Sequence, residues 1–200
     1  IIIKRVLDIS TSLILIVILL PLILILIFSI ILFSGSNPCY SRVRIGKNGN
    51  KFTLYKFTTM KSDPEILIDY FKNNPDQEKY FNENQKLLYD PRITKVGFLL
   101  REISIDELPQ LINILIGDMS FIGPRPIVEE EIIKYGNSYE LYKQVRPGLS
   151  GLWQVSGRND TSYKQRVEFD VLYIENQSFL LDVKIFFKTF FAVLSRKGAY

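Results

Sequence analysis

The sequence predicts a mostly helical α+β protein in which an N-terminal membrane segment is joined to a small folded domain. The membrane segment is predicted by an uncharged run from Ile9 to Gly35, because a helix needs only ~20 apolar residues to cross a bilayer. A β-hairpin is predicted between Tyr40 and Met60, where Asn48–Gly49 is a strong turn signal between two segments rich in β-branched and aromatic residues.

Proline and basic residues decide how the apolar run is expected to meet the membrane. Pro21 lies in its middle, where it removes a backbone donor and favours a break at Leu20–Pro21. Positive charge marks the cytoplasmic side of a membrane, and basic residues flank the run on both sides: Lys4, Arg5, Arg42, Arg44, Lys47 and Lys51. We favour a re-entrant helix over residues 1–36 and a cytoplasmic domain over residues 37–200, and a kinked spanning helix stays open as the alternative.

The domain is expected to be built mainly from helices. Phe179–Leu194 is very apolar, so it either belongs to the core or lies flat at the membrane interface with its lysines among the headgroups. Arg146–Arg158 is rich in glycine and predicts a loop. The other expected helices are Pro64–Tyr89 with a break near Asn73–Pro75, Ser104–Ile116 ending at Gly117, Pro126–Tyr135, and an amphipathic helix over Ser162–Glu175.

Composition excludes several kinds of chemistry. The sequence contains no histidine, which removes Ser-His and Cys-His nucleophiles and the usual zinc sites. Its single cysteine, Cys39, cannot form an internal disulfide, so a reducing compartment fits. The net charge of +4 favours anionic partners such as phospholipids or phosphorylated substrates. The sequence has no dense stripe of basic residues of the kind that indicates nucleic-acid binding.

Two adjacent acids, Asp106 and Glu107, are the sharpest local feature. One interpretation is structural: Ser104 and Glu107 match a capping box, and acids suit the first turn of a helix. The other is catalytic, because side chains of adjacent helical residues diverge by about 100°. One carboxylate would then attack a phosphorus atom while the other binds a hard cation.

Two arginines in loops are further candidates. Arg125 lies between Pro124 and Pro126, which restrict the backbone and would hold its guanidinium group in a fixed place. Arg158 follows Gly157 in a similar setting. Either arginine alone is more often a solvated surface charge.

Several motifs occur in order along the chain, beginning at Lys4-Arg5-Val6-Leu7-Asp8, Tyr55-Lys56-Phe57, Asp106-Glu107-Leu108-Pro109-Gln110, Gly117-Asp118-Met119-Ser120, Gly123-Pro124-Arg125-Pro126, Arg146-Pro147-Gly148 and Gly157-Arg158-Asn159-Asp160. Together they resemble the motifs of the bacterial sugar transferases, the monotopic polyprenyl-phosphate glycosyl-1-phosphate transferases. The resemblance covers nearly the whole chain, and the ending at residues 198–200 is similar to that of the larger hexose-1-phosphate members, whose catalytic domain follows extra membrane helices. We therefore expect the C-terminal part of a longer chain.

The resemblance implies a mechanism and a set of site residues. Asp106 corresponds to the family's nucleophile, which forms a covalent aspartyl-phosphosugar intermediate and releases UMP. Glu107 corresponds to the expected ligand of Mg²⁺. The positions expected to bind substrate, mainly by neutralising phosphates, are Lys56, Arg101, Arg125, Arg158 and, as a late acidic position, Asp182.

The implied reaction moves a hexose-1-phosphate, galactose or glucose being favoured, from a UDP-sugar to undecaprenyl phosphate. It would be the first membrane step of exopolysaccharide, capsule or O-antigen assembly, at the cytoplasmic face of the bacterial inner membrane. The expected partners are the UDP-sugar, the polyprenyl phosphate acceptor and membrane lipid, with no nucleic acid and with homo-oligomer formation left open. Thr58 and Leu20 depart from the family pattern. The alternative function is a catalytically weak scaffold in a polysaccharide assembly complex.

Overall fold

A long N-terminal helix, α1 (Ile2–Ser34), lies against a small α+β domain. The computed structural model describes residues 2–35, 37–84, 87, 89–157 and 161–194. The strands in these ranges are β1 (Cys39–Ile45), β2 (Lys51–Phe57), β3 (Ser120–Ile122) and β4 (Gly148–Ser150). The remaining helices there are α2 (Glu65–Asn73), α3 (Pro75–Asn84), α4 (Lys95–Glu102), α5 (Gln110–Ile116), α6 (Ile132–Tyr135), α7 (Tyr139–Tyr142), α8 (Leu152–Ser156), α9 (Tyr163–Glu175) and α10 (Phe179–Leu194).

Helix α1 is continuous through Pro21, so the expected division into two helices at Leu20–Pro21 does not appear. Its 33 residues correspond to about 50 Å of straight helix at ~1.5 Å per residue. By length and composition α1 is apolar enough to cross a membrane, and it is the one such helix in the described ranges.

The folded domain contacts α1 near both of its ends. Near the N-terminal end, the Arg5 guanidinium group donates hydrogen bonds to the backbone oxygens of Ile114 (2.6 Å) and Leu115 (2.8 Å). These carbonyls lie in the last turn of α5, where a helix leaves its backbone acceptors unpaired. Near the other end, Ile30 is fully buried against Phe57 and Leu100. The helix is therefore fixed to the domain along most of its length.

The solvent-facing side of the protein is unusually apolar along α1 and α10. A large exposed apolar surface on a protein marks a site that contacts a partner or a membrane. Helix α10 buries Ile185 against Tyr173, but its phenylalanines lie on the surface. Of the two expectations for this segment, a core helix and an interfacial helix, the exposure favours the second. Among the described side chains of α10, the exposed large apolar ones are Phe179, Leu180, Phe186, Phe187, Phe190 and Phe191.

The predicted β-hairpin is confirmed. Strands β1 and β2 pair in antiparallel register, with Tyr40 opposite Lys56 and Arg44 opposite Phe52. The turn contains Asn48 at φ 60° and Gly49 at φ 75°, the left-handed conformation that asparagine and glycine tolerate best. The inward side chains of β2 pack on α5, so the hairpin forms one wall of the core.

The glycine-rich segment after Arg146 is more regular than expected. It contains β4, which pairs in parallel with β3, and then the short helix α8. The pairing depends on glycine, because a Cβ atom on Gly148 would lie 2.1 Å from the backbone nitrogen of Gly123. A short parallel pair without alternating apolar residues gives little sequence signal, and this is why only a loop was predicted.

The other helix predictions had mixed outcomes. The break between α2 and α3, the end of α5 at Gly117 and the helix α9 with its Ser162 capping box are confirmed. The single helix from Ser104 to Ile116 was wrong: a 3₁₀ turn over Ile105–Glu107 precedes α5. The helix expected from Pro126 was also wrong, since a 3₁₀ turn over Glu129–Glu131 comes first and α6 is only four residues long.

A single amide joins β2 to α5. Asn113 on α5 is fully buried, and its Oδ1 accepts a hydrogen bond from the Tyr55 backbone nitrogen at 3.1 Å. Its Nδ2 donates to the Thr53 backbone oxygen at 2.7 Å. These two backbone groups lie on the side of β2 that does not face β1, so the amide supplies the hydrogen bonds that a third strand would supply.

Replacing Asn113 by alanine is expected to lower the free energy of unfolding by about 2–4 kcal/mol, because two partly buried backbone groups lose their partners, each in the lower part of the ~1–3 kcal/mol range for an unsatisfied group. The measurement is thermal or denaturant unfolding of the purified protein in detergent. Asn176→Ala is the matched control, because this exposed amide bonds only within its own helix at Leu172. Equal effects of the two substitutions would contradict the structural role of Asn113.

Candidate active site

The adjacent acids lie in a tight turn between α4 and α5. Asp106 and Glu107 belong to the 3₁₀ turn, and Ser104 immediately before it has φ 57° and ψ 22°. A non-glycine residue in this left-handed region is uncommon and costs roughly 1 kcal/mol or more. The capping-box interpretation was wrong, because the Ser104 side chain makes no capping hydrogen bond and Glu107 faces a lysine instead.

Lys56 at the end of β2 meets both acids. Its Nζ lies 2.5 Å from Glu107 Oε1 and 3.6 Å from Asp106 Oδ2. The Asp106 side chain is the more buried of the two, at 13% exposure against 33% for Glu107. The Lys56 ammonium group therefore lies near both carboxylates, and it forms the closer ion pair with Glu107, the more exposed of the two.

Arg101 completes this cluster from α4. Its Nε donates a hydrogen bond to Thr59 Oγ1 at 2.9 Å, which fixes the guanidinium group beside the end of the hairpin. Helix α4 comes this close because Gly97 has no side chain: a Cβ atom there would lie 2.0 Å from the Thr59 backbone oxygen. The site is thus assembled from β2, α4 and the 3₁₀ turn.

Burial and charge act in opposite directions on Asp106. Desolvation raises the pKa of the Asp106 carboxyl group, and the neighbouring Glu107 raises it further. The positive charges of Lys56 and Arg101 lower the same pKa without cancelling the effect of burial. Desolvation also lowers the pKa of Arg101. The result is a carboxylate that is poorly solvated when ionised, a property common among reactive groups.

Arg125 lies in a different cluster. Its guanidinium carbon is 5.2 Å from the centre of the Trp153 ring, and its backbone nitrogen donates to Asp170 at 3.4 Å. Within the described residues, no hydrogen bond or ion pair joins Arg125 to Asp106 or Glu107. The structure thus brings together Lys56, Arg101, Asp106 and Glu107, whereas the described contacts of Arg125 are with Trp153 and Asp170.

The last two residues predicted to bind substrate are Asp182 and Arg158. Asp182 on α10 forms an ion pair with Lys4 of α1 at 2.6 Å and accepts a hydrogen bond from the Tyr173 hydroxyl at 2.7 Å. These contacts give it a clear structural task, joining α1 to the domain. Its substrate-binding role stays a prediction. Arg158 lies outside the described residues.

The acids provide a partial metal site. The described residues contain no group of three or more carboxylate, cysteine or histidine side chains that would hold a metal ion alone. Mg²⁺, however, usually keeps several waters and is bound by one or two carboxylates together with substrate phosphates. Asp106 and Glu107 fit that partial shell, provided that Glu107 exchanges its Lys56 partner.

Comparison with known proteins identifies the family of this chain. The profile of the bacterial sugar transferases matches residues 1–196. The chain belongs to the bacterial sugar transferase family. It is 45% identical to the exopolysaccharide production protein ExoY of Sinorhizobium fredii over 199 residues, covering 98% of this chain and 88% of that protein.

Longer relatives share the same region. The undecaprenyl-phosphate galactose phosphotransferase of Salmonella typhimurium is 43% identical over 198 residues, and the match covers 98% of this chain but 41% of that protein. The UDP-glucose:undecaprenyl-phosphate glucose-1-phosphate transferase of Klebsiella pneumoniae is 34% identical over 208 residues, again with 41% of its length covered. This chain of the sugar transferase family thus corresponds to most of ExoY and to about two fifths of each larger enzyme.

Sequence reasoning missed the residues that support the site. Asn113 gave no signal, because an asparagine inside an apolar helix has no pattern that reveals its partner. Arg44 was noted only as a flanking charge, and Arg166 was not singled out. The sole tryptophan, Trp153, stands between glycine-containing segments and was a usable signal, since a buried tryptophan in a loop-rich region often anchors neighbouring side chains.

Replacing Asp106 by asparagine is expected to stabilise this sugar transferase at neutral pH. A carboxyl group whose folded-state pKa is raised destabilises the fold when ionised, and the penalty fades as pH falls through that pKa towards the unfolded value. The gain in Tm should therefore be largest near pH 7 and shrink towards pH 4, with each kcal/mol worth about 2–4 °C at this size. The measurement is thermal unfolding across that pH range.

Asp182→Asn is the matched control for this prediction. It removes the charge that pairs with Lys4, so its Tm should fall at neutral pH rather than rise. A loss of stability in Asp106→Asn at pH 7 would contradict the idea that burial strains the Asp106 carboxylate.

Proposed function

We propose that this chain transfers a hexose-1-phosphate from a UDP-sugar to undecaprenyl phosphate through a covalent intermediate on Asp106. The observation that carries the proposal is the desolvated Asp106 carboxylate, held beside Lys56 and Arg101 in a family of sugar transferases. The relatives' names supply the substrate class: they include undecaprenyl-phosphate galactose phosphotransferase and UDP-glucose:undecaprenyl-phosphate glucose-1-phosphate transferase.

In the first proposed step, an Asp106 oxygen attacks the phosphorus atom that bears the sugar. The bond from this phosphorus to the bridging oxygen breaks, and UMP leaves with the electron pair. Asp106 is suited to the attack because burial leaves its carboxylate poorly solvated and thus more reactive. Lys56 and Arg101 supply positive charge beside it, and fixed charges of this kind provide most of the catalysis in phosphoryl transfer.

In the second step, an oxygen of the lipid phosphate attacks the same phosphorus atom. The bond between phosphorus and Asp106 breaks, so the free carboxylate returns and the lipid carries the phosphosugar. An acyl phosphate is reactive enough to pass on its group. Since donor and acceptor react in turn at one carboxylate, the proposed kinetics are of the ping-pong type.

Glu107 is proposed to help hold Mg²⁺ together with the donor phosphates. The ion would neutralise phosphate charge when bound. Lys56 balances Glu107 in the structure described here, so it would be released to the substrate phosphate as Glu107 turns to the metal. Through this exchange each negatively charged group would keep a positively charged partner.

The membrane position follows from the contacts of α1. A helix crossing the ~30 Å hydrocarbon core would carry one of its ends to the far side, away from a water-soluble domain. Arg5 and Ile30, near opposite ends of α1, both contact the domain. These contacts support a monotopic arrangement in which both ends of α1 stay on the cytoplasmic side, and the exposed phenylalanines of α10 lie among the lipids.

The scaffold alternative has little support. Thr58, its main sequence argument, is buried and its backbone nitrogen donates to the Pro38 oxygen at 2.9 Å, an ordinary structural position. A scaffold would have no need for the desolvated Asp106 or for the left-handed Ser104 before it.

Mass spectrometry of the purified protein after incubation with Mg²⁺ and a UDP-sugar, without lipid acceptor, tests the function. A hexose-phosphate adduct is expected on a peptide that contains Asp106 and should disappear on adding polyprenyl phosphate. Asp106→Asn should give no adduct, whereas Asp69→Asn, which changes an exposed acid paired with Lys72 on α2, should still form it. Absence of both adduct and UMP release with a panel of UDP-sugars would favour the scaffold.

Cysteine labelling tests the membrane arrangement. Cys39 follows α1 and is exposed, while Ile3→Cys in a Cys39→Ser background places a single thiol near the other end. In inverted membrane vesicles, where the cytoplasmic side faces outward, an impermeant maleimide should label both proteins. Cys39→Ser alone is the unlabelled control. Labelling of only one of the two thiols would establish a spanning helix and overturn the monotopic arrangement.

A further inference from the structure

Thr59 holds the side chain of Arg101 from across the candidate active site. Its Oγ1 accepts a hydrogen bond from Arg101 Nε at 2.9 Å, although the two residues are 42 positions apart in the chain. Thr59 lies just beyond the end of β2, the strand that carries Lys56, and Arg101 lies in the last turn of α4. The contact therefore joins the element that supplies the lysine to the element that supplies the arginine.

The Thr59 hydroxyl group has little freedom to move. Its residue is buried, and its backbone oxygen accepts a hydrogen bond from the Thr94 backbone nitrogen at 3.1 Å. Helix α4 packs directly on that oxygen at Gly97, where no Cβ atom could fit. Threonine is also branched at Cβ, so few rotamers are open to its side chain. Arg101 Nε thus donates to an acceptor whose position is fixed by the fold.

The hydrogen bond at Nε decides which edge of the Arg101 guanidinium group stays available. This group carries five N–H donors in a rigid plane. Nε and one Nη form its side edge, and the two Nη atoms form its end edge. Because the Nε donor is taken by Thr59, an oxyanion can be bound by two parallel hydrogen bonds only at the end edge. Within the described ranges, the Thr59 contact is the one side-chain hydrogen bond of Arg101.

The acids beside Arg101 leave that end edge without a partner. Burial lowers the pKa of Arg101, and Asp106 is the charged neighbour that opposes this effect most, yet no ion pair joins the two residues in the described part of the chain. Asp90 is the second acid nearby, but its Oδ1 and Oδ2 accept from Arg92 at 2.9 Å and 2.6 Å. The partner of the end edge is therefore expected to arrive with the substrate.

We propose that Thr59 is a positioning residue whose hydroxyl group holds Arg101 so that its two Nη groups bind non-bridging oxygens of the phosphate that Asp106 attacks. This assignment rests on the proposed function, which identifies that phosphate as the reacting group. Donors that are already in place stabilise the charge on these oxygens during the attack and need no reorganisation. Thr59 acts through Arg101 and takes no part in bond making or breaking.

The rate of adduct formation on Asp106 tests the hydroxyl group, in purified protein in nanodiscs with Mg²⁺ and a UDP-sugar. Thr59→Val keeps the branched shape without the acceptor, and should lower the rate at saturating donor by about tenfold or more, as expected for a hydrogen bond to a charged group. The half-saturating donor concentration should change little. Thr59→Ser restores an acceptor and should react at close to the wild-type rate.

Thr58→Val is the matched control for this substitution. Thr58 is the neighbouring buried threonine, and its hydroxyl group makes no hydrogen bond to the described residues. Its variant should therefore form the adduct at close to the wild-type rate. Equal rates in Thr58→Val and Thr59→Val would overturn the positioning role. So would a Thr59→Ser protein as slow as Thr59→Val, because the loss would then come from packing rather than from the hydroxyl group.

NMR of protein isotopically labelled at arginine Nε tests the orientation without the reaction. The Arg101 signal, assigned by its loss in Arg101→Lys, should exchange its Nε proton with water slowly in the wild-type protein and in Thr59→Ser, and rapidly in Thr59→Val. Slow exchange in a protein that never forms the Asp106 adduct would defeat the transferase alone. Rapid exchange in a wild-type protein that does form the adduct would defeat the role of Thr59 alone.

Discussion

The joint between β2 and α5 determines the geometry of the whole candidate site. Asn113 ties the outer edge of β2 to the helix that follows the acidic turn, so Lys56 cannot move along the strand direction without breaking buried hydrogen bonds. Hydrogen bonds of this kind matter less for their net energy than for the cost of leaving them unmade. A lysine on a flexible stem is thereby held within reach of two carboxylates, a task that the lysine side chain alone would perform poorly.

Burial is the second constraint, and it acts on charge. Asp106, Arg101 and Arg166 are all partly removed from water, and desolvation is the largest influence on the pKa of each group. Such an arrangement costs stability, and proteins retain it mainly at functional sites. In this protein such burial occurs at two places, next to Lys56 and beside Trp153, where the Arg166 guanidinium group lies.

Much of the fold could be predicted from local patterns. The hairpin followed from Asn48–Gly49, and α9 followed from the Ser162 capping signal, because each depends on residues near one another in sequence. The β3–β4 pair and the path of the chain after Pro126 could not be predicted in this way. They depend on close backbone approach between Gly123 and Gly148, which no periodicity reveals. The helix α1 also runs uninterrupted through Pro21, which the proline by itself would not predict.

The candidate site shows the same contrast between what local sequence predicts and what tertiary structure decides. Its acids were recognised from motif resemblance, whereas the contact of Arg125 with Trp153 needed tertiary structure. The ion pair of Asp182 with Lys4 was equally hidden, since the two residues are far apart in the chain. Where local sequence suggested a conventional helix cap at Ser104, tertiary contacts prevailed and Glu107 turned to Lys56.

The packing beneath the acidic turn has a mechanical consequence. Ile105 and Leu108 on either side of Asp106 and Glu107 rest on the cluster formed by Ile30, Phe57 and Leu100. Ile30 belongs to the apolar helix and the other two to the domain, so the reactive turn and the membrane helix share one layer of side chains. Protein interiors are close-packed and transmit displacement. The depth of α1 in the lipid would accordingly set the height of the Asp106 carboxylate above the membrane. A bilayer of different thickness that moves α1 would shift the carboxylate through this shared layer of side chains.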